Sequence, residues 1–474
     1  MGLTKRTYGL SDLVEVNLEN APSLDLSGIE IERVYVPKDH GKYILFLANI
    51  SKDARPEECP FCKEKTDIIL SGRTNPRVIH DVIRNNCRVD IVIQPIRLQC
   101  KSCGERFTPS IPGIDEVHSM TTRLLDFLRL ECFLQPYTLL AERSGISVET
   151  VRGIMDEEIQ KYEDEREANP LLAPRVLGID EKHINRVMRG TIVNVEEGLL
   201  LDMLEDNKPN TMQEAIMRFT DWDKRIEVIT TDMSNAYLQW LPTFLPRATI
   251  VIDRFHVIQD IERRISSTKK QLYEHRKKLI DKIEDVKEKV RQMGVLRILN
   301  NTQRLLNYNI ENIVRDTKSN KAMQLATIMD EFPEFKLLRQ LYYLIEIMYQ
   351  QETYEEAEAV WNEWVAMLPP GSDKEYKEWC DLYSVVPPLF DDFRSFSRQG
   401  FQFFKPYILN YFRPGCRYTN AATEGLNNLI GNINSQGNGY SFKALRAKCL
   451  YASLVHERIL YGIDIKTIEK WKPT

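Results

Sequence analysis

The sequence predicts a multidomain chain of mixed α+β and α/β class: a small cysteine-bearing module, a helical pair, then an α/β core interrupted by a long all-helical stretch. Three observations predict it. Two Cys-x-x-Cys pairs stand near the N-terminus, strand-length apolar runs alternate with helical patterns from residue 175, and residues 260 to about 396 read almost only as helix. The expected division is 1–115, 116–165, 172–260, 261–400 and 401–474.

A chain of 474 residues has room for two to four domains, at about 150 residues each. Its 43% hydrophobic and 28% charged content is that of an ordinary globular protein. No run approaches the roughly 20 apolar residues of a membrane span. The first residues, MGLTKR, lack a signal-type apolar segment, and Arg6 stands where a myristoylation signal needs Ser or Thr. The expectation is a cytoplasmic protein with no membrane partner. Nine cysteines are too few for a disulfide framework in so long a chain. The net charge of −5 argues mildly against nucleic acid as a partner, so local charge carries more information.

Cys59-Pro-Phe-Cys62 and Cys100-Lys-Ser-Cys103 each form a knuckle in which two thiolates can converge on one ion, and two knuckles supply tetrahedral Zn2+. This is a zinc-ribbon pattern, although the gap between the pairs is longer than in common fingers. Residues 29–36 and 43–47 read as strands, and 88–98 alternates as one strand able to bring the pairs together. His80 and Cys87 are expected in the loop between the pairs, as packing residues and not ligands.

From residue 121 the period becomes helical, with Leu124, Leu125, Leu128, Leu139 and Leu140 spaced for one apolar face. Residues 140–154 then read as helix, turn at Gly145, N-cap at Ser147 and second helix, a helix-turn-helix signature. Ile146, Val151 and Ile154 would share the interior, leaving Glu149, Thr150 and Arg152 outside. The charged run 163–169, before Pro170 and Pro174, reads as a linker.

The core begins with three strand runs, 175–180, 190–195 and 199–204, then a helix at 211–219. A strand at 226–229 leads to Asp232, a short helix starts near Ser234 and ends at Pro242 and Pro246, and a strand at 248–252 leads to Asp253. A three-strand meander followed by helix, strand, helix, strand is the element order of the ribonuclease H fold. Capping alone could explain any one of the aspartates. Three apolar strands each ending in Asp, at Asp180, Asp232 and Asp253, are harder to explain that way.

Beyond the core, residues 261–293 carry 11 Lys and Arg against 6 Asp and Glu along a stripe of Ile265, Leu272, Leu279, Ile283, Val286 and Val290. Residues 353–394 reverse the balance, with 10 acids to 3 bases. Residues 401–450 hold 6 basic residues and one acid, Glu424. Glu424 could simply favour a helix N-terminus capped by Asn420. Its isolation among basic residues favours a catalytic role instead.

The motifs Gly178-Ile-Asp180-Glu, Thr231-Asp232-Met-Ser, Asp253-Arg-Phe-His256 and Asn420-Ala-Ala-Thr-Glu424-Gly-Leu-Asn-Asn resemble those of the ISL-three family of bacterial insertion-sequence transposases. The resemblance covers nearly the whole chain, and Asp-Arg-Phe-His is its most specific part. It implies a DDE transposase that binds the ends of an insertion sequence and cleaves and transfers DNA strands. Its ribonuclease-H-like core would hold two Mg2+ (or Mn2+) ions on Asp180, Asp232 and Glu424, with Asp253 and His256 as an auxiliary pair outside the ligand set. Asp253 also ends a strand, so the second acid is Asp232 or Asp253. Asp232 is preferred because its strand should lie beside the first. Two Mg2+ roughly 3.5–4 Å apart suit phosphodiester chemistry, and hard cations want carboxylate oxygens. Arg152, Arg254, Arg413, Arg417, Lys443, Arg446 and Lys448 would then face DNA phosphates. The implied partners are double-stranded DNA at transposon ends and target, and a second copy in a homodimer, in a nucleoid-associated protein. The competing readings are a DNA-binding regulator with a retired core and a nuclease of RNA–DNA hybrids.

Overall fold

In a computed structural model of the chain, which describes residues 8–20, 23–39, 41–51, 55–65, 67–300, 320–419, 421–437 and 439–459, the backbone divides into two units. One is Met1–Asn169 with Ile430–Thr474, and the other is Pro170–Leu429. The expected cap Asn420 and the N-terminal MGLTKR lie outside the described residues.

The first unit holds more sheet than the sequence predicts. Strands β1 (Leu13–Val16), β2 (Ile29–Pro37), β3 (Tyr43–Ile50), β4 (Ile68–Arg73), β5 (Arg77–Arg84), β6 (Cys87–Ile93), β7 (Ile96–Cys100), β8 (Arg106–Phe107), β9 (Ile114–Asp115) and β10 (Met120–Thr121) form two sheets. Seven of them run in the order β1-β2-β3-β6-β5-β10-β9, and β4-β7-β8 make the smaller, cysteine-bearing sheet. Residues 88–98 are therefore not one strand. Pro95 has no N–H for the ladder, so the run breaks there and its halves join different sheets. Val89, Ile91 and Ile93 point to a dry core with Phe46 and Ile79. Asp90 is buried too, and is held by Tyr43 Oη at 3.1 Å and by His80 Nδ1 at 2.8 Å. His80 and Cys87 thus sit on strands.

Helices α1 (Thr122–Leu134), α2 (Tyr137–Ser144) and α3 (Val148–Ala168) follow. Gly145 ends α2 at φ 75°, a left-handed turn that suits a residue without Cβ. Ser147 caps α3 by accepting from the Thr150 amide at 3.0 Å. Ile146, Val151 and Ile154 are buried, whereas Leu139 is exposed. The expected linker 163–169 is the last turn and a half of α3, since nothing in that charged run breaks a helix before Pro170.

In the second unit the element order is the one expected. Strands β11 (Val176–Ile184), β12 (Val187–Asn194) and β13 (Leu199–Met203) form an antiparallel meander, followed by α4 (Pro209–Met217) and α5 (Trp222–Arg225). Then come β14 (Val228–Thr231), α6 (Asn235–Leu238), α7 (Leu241–Phe244) and β15 (Thr249–Ile252). The sheet order is β13-β12-β11-β14-β15, with β14 parallel to β11 and to β15. Pro242 opens α7 instead of closing the preceding helix, because proline fits a first helical turn.

Helices α8 (Arg254–Asp281), α9 (Val286–Asn300), α10 (Asn320–Glu331), α11 (Pro333–Gln350), α12 (Tyr354–Met367), α13 (Asp373–Tyr383) and α14 (Asp391–Leu409) make the helical stretch. Trp361 and Trp364 are fully buried in it, with Trp364 edge-on to Phe401 at 4.7 Å and its Nε1–H donating to the Leu341 carbonyl at 2.9 Å. The long stripe holds through Ile265 and Leu272 but fails at Leu279, Val286 and Val290, which are exposed. The break between α8 and α9 resets the helical phase for Val286 and Val290, while Leu279 is already exposed before it, near the end of α8.

The chain then forms α15 (Ala421–Gln436), inside which the unit boundary falls, and α16 (Phe442–Ile459). Helix α16, within the stretch 401–474 expected to be the second part of the core, packs against α1 in the first unit. This overturns one expected phosphate contact, Lys448, and gives a second, Arg446, a protein partner. Lys448 is only 2% exposed, with Nζ donating to the Gln135 carbonyl at 3.0 Å and to that of Cys132, between the rings of Tyr440 and Tyr137 at 4.8 and 5.1 Å. Arg446 is paired with Glu163 on α3.

Burial pushes the Lys448 ammonium down to about 8, against which the neighbouring Cys132 and Cys449 thiols act weakly. The unfolded chain keeps this proton to about pH 10.4. The folded state is therefore penalised below about pH 8, and the penalty fades as pH rises toward 10.4. Relative to Lys448→Met, the parent protein should gain stability across that window. Urea midpoints at several pH values read this directly, and a pH-independent difference contradicts it.

Candidate active site and cysteine cluster

The four cysteines of the two knuckles converge. Cys59 Sγ lies 3.7 Å from Cys103 Sγ, Cys62 Sγ lies 3.8 Å from Cys100 Sγ, and all four sulfurs fall within 4.8 Å of one another. A tetrahedron with Zn–S bonds of about 2.3 Å has edges of about 3.8 Å, so the spacing fits zinc. The knuckles are alike in backbone. Lys63 and Gly104, each just after the second cysteine, have positive φ, and their amides donate to the carbonyls of Cys59 and Cys100 at 3.0 and 2.9 Å. Burial opposes ionisation of the Cys59 thiol, but the Cys62 and Phe61 backbone amides outweigh it and bring it down to about 7. None of the four is in a disulfide.

The acidic site is built at the carboxyl ends of β14 and β15, beside the central strand β11 of the five-stranded sheet. Parallel pairing of β11 with β14 covers only Val176–Gly178, so β11 continues past its neighbour, and Asp180 projects just beyond the last paired residue. Asp180 is thus inside a strand and not at its end, since β11 runs on to Ile184 as a hairpin with β12. Asp232 and Asp253 follow Thr231 and Ile252, which are aligned across β14 and β15. Asp253 caps α8 by accepting from the Phe255 amide at 3.3 Å, which sets His256 on the first turn. The His256 Nε2 lies 2.6 Å from Asp232 Oδ1.

Two potential ligand sets share His256. Asp180, Asp232 and His256 bring one donor atom each to within 4.8 Å of one another, and so do Asp253, His256 and Glu424. Glu424 lies in the first turn of α15. The structure therefore draws Asp253 next to Glu424, nearer than the sequence reading placed it. Burial first, and the charge of Asp232 second, raise the Asp180 carboxyl to about 7. Burial and the charges of Asp253 and Asp232 also raise Glu424. Burial works against the His256 imidazolium, but its bond to Asp232 and the nearby acids raise it. A group of acids that resists ionisation when alone is what a divalent cation stabilises, and carboxylate oxygens suit Mg2+ or Mn2+.

Three further residues shape this site. A Cβ at Gly178 would lie 2.9 Å from Val195 Cγ2 and 3.2 Å from Thr423 Oγ1, so the missing side chain lets α15 lie against β11. Asn427, one turn beyond Glu424, donates from Nδ2 to Asp180 Oδ2 at 2.6 Å. Tyr237 is fully buried, and burial, then Glu181, Asp232 and Asp180, hold its phenol protonated. The sequence quoted Asn427 within a motif without a role, because no periodicity tells which face of α15 meets β11.

Of the basic residues expected at DNA, Arg152, Arg254, Arg413, Arg417 and Lys443 are exposed. Arg254 and Arg413 lie over the rings of Tyr349 and Tyr354 at 5.9 and 5.4 Å. Arg417 donates to the carbonyls of Gln351 and Glu352 at 2.7 Å. Lys443 is 3.1 Å from Asp156.

Two measurements check these geometries. Metal analysis of the purified protein should find about one zinc per chain, lost in Cys59→Ser/Cys62→Ser; folded, zinc-free parent protein contradicts the first. Gly178→Ala should cost about 1–3 kcal/mol by forcing α15 off β11, seen as a lowered unfolding midpoint, and an unchanged midpoint contradicts the second.

No curated protein matches the chain. The sequence pattern of a family described as transposase matches residues 177–449, more than half its length, from β11 into α16. That span contains Asp180, Asp232, Asp253, His256 and Glu424. The chain belongs to the ISL-three family of DDE transposases, enzymes that cleave and transfer DNA.

Proposed function

We propose that the protein binds the ends of an insertion sequence and cuts and joins DNA strands with Asp180, Asp232 and Glu424 as the residues that hold divalent cations. The observation that carries this reading is a pair of ligand clusters joined through His256, one holding the buried Asp180 of β11 with the half-buried Asp232 after β14, the other holding Asp253 with the half-buried Glu424 in the first turn of α15. Bound there, Mg2+ or Mn2+ would supply charge stabilisation to the attacking and leaving oxygens of a phosphodiester.

The chain's own share is to fix the anionic oxygens and keep the surroundings dry. The Glu181 amide braces Asp180 Oδ1 at 2.7 Å, while His256 orients Asp232. Asp253 fixes the helix start that carries His256. Thr230 and Thr231 beneath them are fully buried, so bulk water does not reach the acids from the sheet side.

DNA would be gripped outside this site. The turn at Gly145 and the outward Arg152 support α2 and α3 as a helix-turn-helix reader, with the zinc ribbon as a second module. The exposed pair Lys443–Asp156 is of a kind worth at most about 1 kcal/mol, so a phosphate can take the lysine. Joining paired ends calls for a homodimer. No described helix is long and apolar enough to cross a membrane. We place the protein at the nucleoid.

Asp180→Asn, Asp232→Asn and Glu424→Gln should each reduce Mg2+-dependent cleavage of a transposon-end oligonucleotide by orders of magnitude while DNA binding persists. Asp253→Asn should lose less, because asparagine also caps a helix. Normal cleavage by Asp232→Asn together with a dead Asp253→Asn would transfer the second ligand role to Asp253.

A further inference from the structure

We infer that Asn427 is a positioning residue for the cation site: it holds the Asp180 carboxylate in the orientation that accepts a divalent ion, and it ties that carboxylate to the helix that presents Glu424. The inference rests on the reading of Asp180 as a cation ligand.

Both oxygens of Asp180 have one protein donor. Oδ1 accepts from the Glu181 backbone amide at 2.7 Å and Oδ2 from Asn427 Nδ2 at 2.6 Å. A carboxylate has about four lone-pair sites, so each oxygen keeps one for a cation. Because the acceptor is a carboxylate, the amide must present its N–H side to it, which fixes the amide's orientation. A backbone donor alone would leave the carboxylate free to rotate about its last bond, and the second brace removes that freedom.

The contact follows from the register of α15 on β11. Thr423 sits over Gly178, and Asn427, four residues along the helix, meets Asp180, two residues along the strand. Four helical residues rise about 6 Å and two strand residues about 6.6 Å, so the two ladders match at these points. Glu424 lies on the turn before, three residues ahead of Asn427. Any shift of α15 along β11 would therefore move Glu424 and release Asp180 together.

Packing alone does not account for an asparagine here. Asn427 is buried, and its Oδ1 has no hydrogen-bond partner among the described residues. An apolar side chain of the same shape would avoid the desolvation of that carbonyl. The side chain's one hydrogen bond among the described residues is the one to Asp180.

The test is Mn2+ titration of the full-length protein and its variants, read from the electron paramagnetic resonance signal of free Mn2+, so that no catalysis is involved. Asp180→Asn reports on the ligand reading, and Asn427→Leu and Asn427→Ala report on the inference. Leucine keeps the branching and heavy-atom count of the asparagine without its donor, and alanine controls for its larger volume. We expect Asp180→Asn to lose the high-affinity Mn2+ site, and both Asn427 variants to weaken it by about 10- to 100-fold with unchanged melting of the metal-free protein. Mn2+ binding by Asp180→Asn equal to the parent's overturns the ligand reading, and the inference with it. If Asp180→Asn loses the site while Asn427→Leu binds as the parent does, the inference alone is overturned. Failure of both Asn427 variants to fold also overturns it, since Asn427 would then be a packing residue.

Discussion

The repulsion between carboxylates crowded where β14 and β15 end beside β11 is the constraint from which the rest of the second unit follows. Two unit charges within 4.8 Å oppose each other by on the order of 3–4 kcal/mol at an effective dielectric near 20. The fold tolerates this through partial protonation of Asp180, raised by burial and by Asp232, and through the imidazole of His256 against Asp232. Neither removes the strain of keeping several acids together. A divalent ion would, which makes the site a preorganised receptor for one.

The sheet creates that crowding by running its strands out at different lengths. Strand β11 continues beyond β14, so an acid inside the first strand and an acid at the end of the second meet in the step between them. Strand β15 ends level with β14 and places Asp253 where it can start α8. The long helical stretch then separates Glu424 from the other acids in sequence. Thr423 over Gly178 brings it back, because a helix can approach a strand that closely only where a Cβ is missing. The large tryptophan-filled interior of that stretch gives the returning chain a rigid starting point.

Much of this was legible in the sequence, and the remainder was hidden for definite reasons. The apolar runs before Asp232 and Asp253 and the isolation of Glu424 are strong local signals, and the paired knuckles name their own geometry. Of the seven-stranded sheet, β1, β9 and β10 were invisible because they have two to four residues and show no alternation, and the eight-residue β5 was missed as well. Pro95 was the one available sign that 88–98 is two strands. Charge was the least reliable guide. Lys448 and Arg446 read as phosphate ligands, yet α16 turns both toward α1–α3, where carbonyls, rings and Glu163 satisfy them. Position in the sequence does not reveal which side of a helix another helix will cover. The role of Asn427 was unreadable for the same reason.

The central claim is that acids from β11, β14 and α15 form a common cation site. Anomalous diffraction at the manganese edge from crystals soaked in Mn2+ tests it most directly, because it locates the ion without reference to any activity. The account predicts an anomalous peak bounded by the carboxylates of Asp180, Asp232 and Glu424. A peak bound to other residues, with that space unoccupied at millimolar Mn2+, would contradict it.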